Sequence, residues 1–355
     1  MAPLKGSLWA LLLYDVSEEI RLNEVREVLG ASRPARGPEF RGPSPEYVRF
    51  EQPPVIHRVD ETCVVKFYEY GVLSVALEIP FESGWSELVQ LSGRTIASPD
   101  IEKKTLDIAK RQVERVRAAL VRPFDNWTTE DYYAVHLREA QGTDGQPQSA
   151  QQLMSERGGE IAQIVRGEAT PVSGNERSEV LRDWVSYYPN DLLVVAWMAA
   201  FIYDTPEGAA PVLQLLEYAN SQLIEFRYFD DVLTKVLAGV YRRLGRGRKL
   251  WGRWRLARDA ERLNRIRLDV TELTERVDNS IKFLSDMFYA RAYRLAARKI
   301  GVNDYRDLVD EKLRIAADLY RSMVDEFHQA RAFVLELMVV AILIIELVFL
   351  FLGKW

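Results

Sequence analysis

Cysteine is almost missing from this chain. Cys63 stands alone among 355 residues, so neither a disulfide framework nor a thiolate-rich metal site can be built. Histidine is nearly as scarce: His57, His136 and His328 are scattered without ligand-like spacing, and the first two fall in strand-like contexts where a structural role suffices. The chain has no glycine loop suited to cradling phosphate, no HExxH and no serine in a nucleophile-elbow setting. An excess of positive charge is also lacking, since 47 Lys and Arg face 52 Asp and Glu for a net charge of −5. That balance argues against a protein devoted to coating nucleic acid, although local basic patches are compatible with it. These absences predict a non-enzymatic protein with no cofactor and no resident metal.

A secretory signal is missing too. Leu8 to Tyr14 is apolar but short, and Asp15, Glu18 and Glu19 follow where a small-residue cleavage site would stand. The start is not an Arg/Ser-rich, acid-free transit sequence either. The soluble body is therefore expected to stay in the compartment where it is made.

What the chain does have is hydrocarbon near its end. Ala332 to Leu352 is almost unbroken by polar residues, and Gly353, Lys354 and Trp355 follow. A helix needs about 20 apolar residues to cross a bilayer, so the run predicts a single transmembrane helix over 332–352 that anchors the body by its tail. Glu336 and Glu346 interrupt the run. A charge at mid-membrane costs at least ~2.5 kcal/mol, so Glu346 is expected to be protonated, paired or turned toward another helix. The last case implies a homo-oligomer. A buried core helix is the other reading of the run.

Upstream, Ser7 to Tyr14 reads as a buried strand, and Glu18 to Leu29 sets Ile20, Leu22, Val25 and Val28 at near-helical spacing. Gly30 to Pro54, rich in Pro, Gly, Ser and Arg, reads as a surface loop. Strands are predicted at Thr62–Tyr68 and Val72–Ile79, mainly helix over Ser83–Leu120, and a strand at Tyr132–Leu137. Strand, helix, two strands, helix, strand is the order of a ferredoxin-like α+β sandwich, expected here over 1–140. That fold hosts many activities and names none. Residues 141–204 form a connecting segment that completes the domain. Within it Leu192–Tyr203 is too short to span a bilayer as a helix and reads as a buried strand pair or core strand, with a second membrane contact as the alternative.

From 205 to 331 the pattern is helical. Val212, Leu215, Ala219, Phe226 and Leu233 hold steps of threes and fours or their sums, as do Leu256, Ala260, Leu263, Val270 and Leu273, and again Val309, Leu313, Ala316, Tyr320 and Met323. Long helices packed as a coiled-coil stalk are the expectation, with breaks at Gly245-Arg246-Gly247 and Gly301-Val302-Asn303-Asp304. The first break is basic. Arg242, Arg243, Arg246, Arg248, Lys249, Arg253, Arg255 and Arg258 stand there with no acid among them, and Trp251 and Trp254 are interleaved. Such a turn suits anionic lipid headgroups or nucleic-acid phosphates. An up-down-up helix order would bring it to the end of the stalk where the apolar run begins, which favours lipid over RNA or a ribosome.

One polar cluster stands out on the first long helix. Glu217, Ser221 and Glu225 share a face through i,i+4 steps, with Asn220 beside them. They could hold a divalent cation in a bundle, but the favoured reading is the wet face of an amphipathic helix, with Arg227 pairing to Asp231.

Phe67-Tyr68-Glu69-Tyr70-Gly71-Val72, Asp204-Thr205-Pro206-Glu207, Glu261-Arg262-Leu263-Asn264 followed by Arg267-Leu268-Asp269, and Leu335-Glu336 before the apolar run with Ile345-Glu346 within it occur in this order. In that order they resemble motifs of the required-for-meiotic-nuclear-division family, the sporulation-protein-like, YagE-type membrane proteins. The resemblance implies a membrane-tethered, oligomer-forming protein without known catalysis. Its mitochondrial members are associated with translation at the inner membrane; the missing transit sequence points instead to a bacterial inner membrane, with the body facing the cytoplasm. The function expected is a tail-anchored scaffold that presents its α+β domain to an unknown protein partner and self-associates. The alternative is a tethered translation factor whose 242–258 turn contacts RNA.

Overall fold

The unbroken apolar run in the first strand has a structural cause: both faces of its sheet are covered. The structure, a computed structural model, describes residues 3–30, 53–140, 148–244, 261–262, 264–272 and 287–351, with side chains at 243–244, 287, 322–334 and 351 left aside. In chain order the elements are β1 (Leu4–Ile20), α1 (Leu22–Leu29), β2 (Val55–Arg58), β3 (Cys63–Phe67), β4 (Val72–Ser83), α2 (Trp85–Ile96), α3 (Pro99–Arg115) and β5 (Leu120–Glu139). There follow α4 (Ala150–Arg166), α5 (Gly174–Val180), β6 (Trp184–Val185), β7 (Leu192–Val195), β8 (Ala199–Tyr203), α6 (Pro206–Leu244), α7 (264–272), α8 (Met287–Ile300) and α9 (Val302–Phe351).

The strands form one sheet in the order β2-β3-β4-β1-β5-β8-β7-β6. Every neighbouring pair is antiparallel except β5 and β8, which run parallel. This corrects the expected architecture: residues 1–140 do not close as a separate ferredoxin-like sandwich, because the sheet continues through 184–203. The reason lies in β8, whose five residues Ala199–Tyr203 are all buried and hydrogen-bond alongside Tyr133–Leu137 of β5. The apolar segment Leu192–Tyr203 thus supplies β7 and β8.

Alternation along β1 assigns the two faces. Leu8, Ala10, Leu12, Tyr14 and Val16 belong to one core, shared with Leu88 and Val89 of α2, Ile108 and Ala109 of α3, and Leu153, Ile161 and Val165 of α4. Leu11, Leu13 and Asp15 point the other way and are equally buried. On that second face their cross-strand partners include Ser74, Ala76 and Tyr132.

Two compact units emerge, one of Met1–Tyr228 with Leu273–Arg306 and the other of Phe229–Glu272 with Asp307–Trp355. In the second, Leu233, Val236 and Val240 of α6, Ile266 and Val270 of α7, and Val309 and Ala316 of α9 are buried. Lys312 on α9 reaches Asp230 Oδ1 at 2.5 Å and Thr234 Oγ1 at 2.5 Å on α6.

The expected membrane anchor is also corrected. Among the described residues no helix is long and apolar enough to cross a membrane. The tail-anchored, integral-membrane placement expected from the sequence falls with it.

One turn fixes the register of the second face. Gly71 closes the β3–β4 turn with φ +96°, and its carbonyl accepts a hydrogen bond from Val16 N at 3.1 Å. A Cβ there would lie 1.8 Å from the Ser17 carbonyl oxygen, whereas one at Gly30, also left-handed at φ +63°, meets nothing within 4 Å. Gly30→Ala should therefore cost about 1 kcal/mol, the intrinsic penalty of the conformation, and Gly71→Ala more than about 2 kcal/mol. Urea denaturation of both variants checks this, and equal costs would mean that the turn moves away from β1 freely.

Candidate functional site

Every residue of α6 from Leu215 to Phe226 is buried. This overturns the reading of Glu217, Ser221 and Glu225 as a wet helix face: Glu217 is 1% exposed, Asn220 and Ser221 0%, Gln222 1% and Glu225 6%. Arg227 does not pair with Asp231. It meets Glu130 on β5, while Asp231 pairs with Lys235.

The helix is tied to the second face of the sheet at two points. Lys66 on β3 forms an ion pair with Glu217, and Arg227 forms one with Glu130. Cross-strand pairing puts Lys66 opposite Ser74, Ser74 opposite Leu13, and Leu13 opposite Glu130. These four residues thus make one row across β3, β4, β1 and β5. Three strand spacings come to about 14 Å, and the ten residues from Glu217 to Arg227 rise about 15 Å along a helix. The two lengths match, so α6 crosses the strands and passes over Ser74 and Leu13 on its way. Tyr70, at the β3–β4 turn, adds a contact 2.5 Å from Ser221 Oγ, and the Phe124 and Tyr228 rings stack with centroids 5.1 Å apart.

Helical periodicity divides the polar residues between two neighbours. Glu217, Ser221 and Tyr228 face the sheet, whereas Tyr218 and Gln222 face α8, where the Tyr293 hydroxyl donates to Gln222 Oε1 and the Tyr218 and Tyr293 rings lie 6.1 Å apart. Tyr68 and Tyr70 stack at 5.4 Å beneath them.

The electrostatics follow from burial. Desolvation holds the hydroxyls of Tyr68 and Tyr70 far above the ordinary tyrosine range, reinforced for Tyr68 by the Glu217 carboxylate, so both act as neutral hydrogen-bonding groups. Burial pushes Asp15, on the same sheet face, up to about 8. It also raises Glu130, outweighing the Arg227 guanidinium beside it. His136, likewise buried, is pushed down and stays neutral, with Nε2–H donating to the Asp204 carbonyl at 2.9 Å.

Four oxygens on this seam have no hydrogen-bond partner among the described residues: Glu217 Oε1, Asn220 Oδ1, Ser74 Oγ and Asp15 Oδ2. Each such buried group costs about 1–3 kcal/mol if left unmet. Among the described residues no three His, Cys, Asp or Glu side chains converge to hold a metal.

Of the residues singled out from sequence, Arg242 is exposed near the end of α6. The side chain of Arg243, and Arg246, Arg248, Lys249, Trp251, Arg253, Trp254, Arg255 and Arg258, lie outside the described residues. Glu336 and Glu346 are exposed on α9, within a stretch where each large apolar side chain from Leu335 to Leu350 is 48–66% exposed. Sequence reasoning missed Lys66, Tyr68, Tyr70 and Tyr293 as partners of α6. The available signal was the i,i+4 spacing of Glu217, Ser221 and Glu225, which identified the face but not the neighbour.

The chain matches the family described as "Uncharacterized protein MJ0711, N-terminal domain" over residues 5–210, more than half its length, and belongs to that family. A relative is the uncharacterized protein MJ0711 of Methanocaldococcus jannaschii, 21% identical over 188 residues that cover 53% of this chain and 58% of the relative. The chain thus spans under two thirds of the length of that relative. No solved structure matches significantly. These matches overturn the resemblance to the required-for-meiotic-nuclear-division family. One motif behind it is a generic helix start: in Asp204-Thr205-Pro206, Thr205 Oγ1 accepts from Gly208 N at 3.2 Å and Pro206 opens α6, as at many helix starts.

Lys66→Met should cost about 3–5 kcal/mol in chemical denaturation, because it strands a buried carboxylate, and Lys66→Met/Glu217→Leu together should recover most of that loss. A cost below ~1 kcal/mol for the single change would show that the pair is solvated. Asp15 titrates near 8 when folded and near 4 when unfolded, so the folded state holds the extra proton between about pH 4 and pH 8 and stability falls as pH rises through that window. Asp15→Asn should flatten this part of the curve of urea midpoint against pH, and an unchanged slope would place its origin elsewhere.

Proposed function

We propose that this member of the MJ0711 N-terminal domain family is a non-enzymatic scaffold that assembles with copies of itself through the end of α9. The supporting observation is the bare hydrocarbon of Leu335–Leu350, where every large apolar side chain is about half exposed. An isolated helix exposes that much on all sides only when nothing covers it. Apolar surface removed from water is worth about 25 cal/mol per Å², and patches beyond a few hundred Å² mark interaction sites.

The distribution of this surface selects the kind of assembly. A dimeric coiled coil buries one stripe at positions a and d. Here Leu337, Val340, Leu343, Ile344 and Leu347 could fill such a stripe, but Met338, Val339, Ile342, Ile345 and Val348 would stay bare. A helix apolar all round is buried all round, so the occupants are several copies of the same segment and the assembly exceeds a dimer. The first unit, with its rigid sheet, would then be displayed in multiple copies to a protein partner.

Sedimentation velocity of the full chain and of a chain stopped after Arg331 tests this reading. The full chain should sediment as a trimer or larger and the truncation as a monomer, and Leu343→Glu should shift the full chain toward monomer. A full chain that is monomeric in buffer, or that becomes monomeric on transfer to lipid nanodiscs, would overturn it.

A further inference from the structure

One helix of the first unit carries charge of a single sign. Over Met287–Ile300, α8 has Arg291, Arg294, Arg298 and Lys299 and no acid. Ala292, Tyr293, Leu295, Ala296, Ala297 and Ile300 are buried. That leaves the three arginines, at steps of three and four, as an exposed row on one face. Asp183 pairs with Arg298 at 3.0 Å and with Lys299 at 3.4 Å. Arg291 and Arg294 have no carboxylate partner among the described residues, and Arg294 Nε donates to the Ala290 carbonyl at 3.2 Å.

Aromatic rings stand at both ends of this row. At its start Tyr187 packs edge-on against Phe288 with centroids 5.4 Å apart, and Tyr188 against Tyr187 at 4.7 Å. At its end Trp197 lies over Gly301, where a Cβ would come within 2.9 Å of the indole. Even so, Tyr187, Tyr188 and Trp197 are 51–54% exposed. Asp183 at Arg298 and Tyr187 at Phe288 align the strand with the helix. The ten residues from 288 to 298 rise about 15 Å, and the four from 183 to 187 extend up to about 13 Å, so this segment runs alongside α8. Asp191 holds the two tyrosines in place, its carboxylate accepting from the backbone N–H of each at 2.7 Å.

We propose that this face binds single-stranded nucleic acid, with the arginine row tracking phosphates and Tyr187, Tyr188 and Trp197 stacking on bases. A row of cations without acids between them calls for a polyanion. Exposed rings fixed beside it call for planar groups with free faces, which a single strand offers and a duplex keeps stacked within itself. An acidic peptide would match the arginines and leave the rings bare. The chain's net charge of −5 confines such binding to this local surface. The site is independent of the assembly proposed for α9, since all its residues belong to the first unit.

The test is fluorescence anisotropy of the full chain with labelled oligo(dT) of about 12 nucleotides, beside a duplex of the same length and phosphatidylserine vesicles. The single strand should bind tightest. Arg291→Gln with Arg294→Gln should weaken it and lower the slope of log K against log salt by about 1.4, at ~0.7 per phosphate contact. Tyr187→Ala with Tyr188→Ala should weaken it at least about fivefold and leave the slope unchanged. All four side chains are exposed, so both variants should keep the far-UV circular dichroism of the parent. Absence of binding, equal affinity for the duplex, tighter binding to the vesicles, or a single-strand affinity that neither variant lowers would overturn the proposal.

Discussion

The ion pair between Lys66 and Glu217 is the constraint on which the first unit depends. It joins a strand to a helix 151 residues away, in surroundings where neither charge has bulk water to fall back on: the two side chains are 16% and 2% exposed. A pair of this kind adds little net stability over an apolar isostere, but losing either partner is expensive. Its physical effect is to specify position. With Glu217 fixed over Lys66 and Arg227 over Glu130, α6 can cross the sheet at one angle and in one register. Tyr70, Ser221, Tyr293 and Gln222 then find their hydrogen bonds without further adjustment.

The two faces of the sheet solve burial differently. The face under α2, α3 and α4 is continuous hydrocarbon, from Leu8 and Leu12 on β1 to Leu153 and Ile161 on α4. The face under α6 mixes small and polar residues, Ser74, Ala76, Asp15 and Lys66 among them. Small side chains let a helix approach closely, and polar ones make the approach directional. Such a seam is also where unmet oxygens concentrate, since a network spanning a helix and four strands rarely satisfies every acceptor. Its polarity and the raised pKa of Asp15 have a common origin in the exclusion of water.

The second unit follows another logic. Its buried positions on α6, α7 and α9 repeat at helical spacing, and the Lys312–Asp230 pair ties two of its helices. Beyond them α9 runs on into hydrocarbon with no neighbour among the described residues. The chain thus combines a body whose specificity comes from buried polar contacts with a terminal surface whose attraction is non-directional.

Periodicity and composition made the local elements legible. The apolar run at Leu8–Tyr14, the turn at Glu69-Tyr70-Gly71, the strand-like Leu192–Tyr203 and the helical repeats over Val212–Leu233 and Val309–Met323 correspond to elements found, because local patterns of two and 3.6 residues report directly on strand and helix; most of the repeat from Leu256 to Leu273 lies outside the described residues. The absence of catalytic motifs was also a property of the sequence alone. What periodicity could not supply was the neighbour. Glu217, Ser221 and Glu225 look like a wet face on any helical projection, and only the arrival of β3 and its Lys66 makes that face an interior. A sandwich closed at residue 140 and a sheet continued by β8 differ by one strand pairing, which no local pattern encodes. Likewise the hydrocarbon of 332–352 is written in the sequence, but what it meets is decided in three dimensions. The sequence determined which elements form, through short-range sterics and periodicity; the tertiary structure decided which faces are inside, because burial is a relation between segments far apart in the chain.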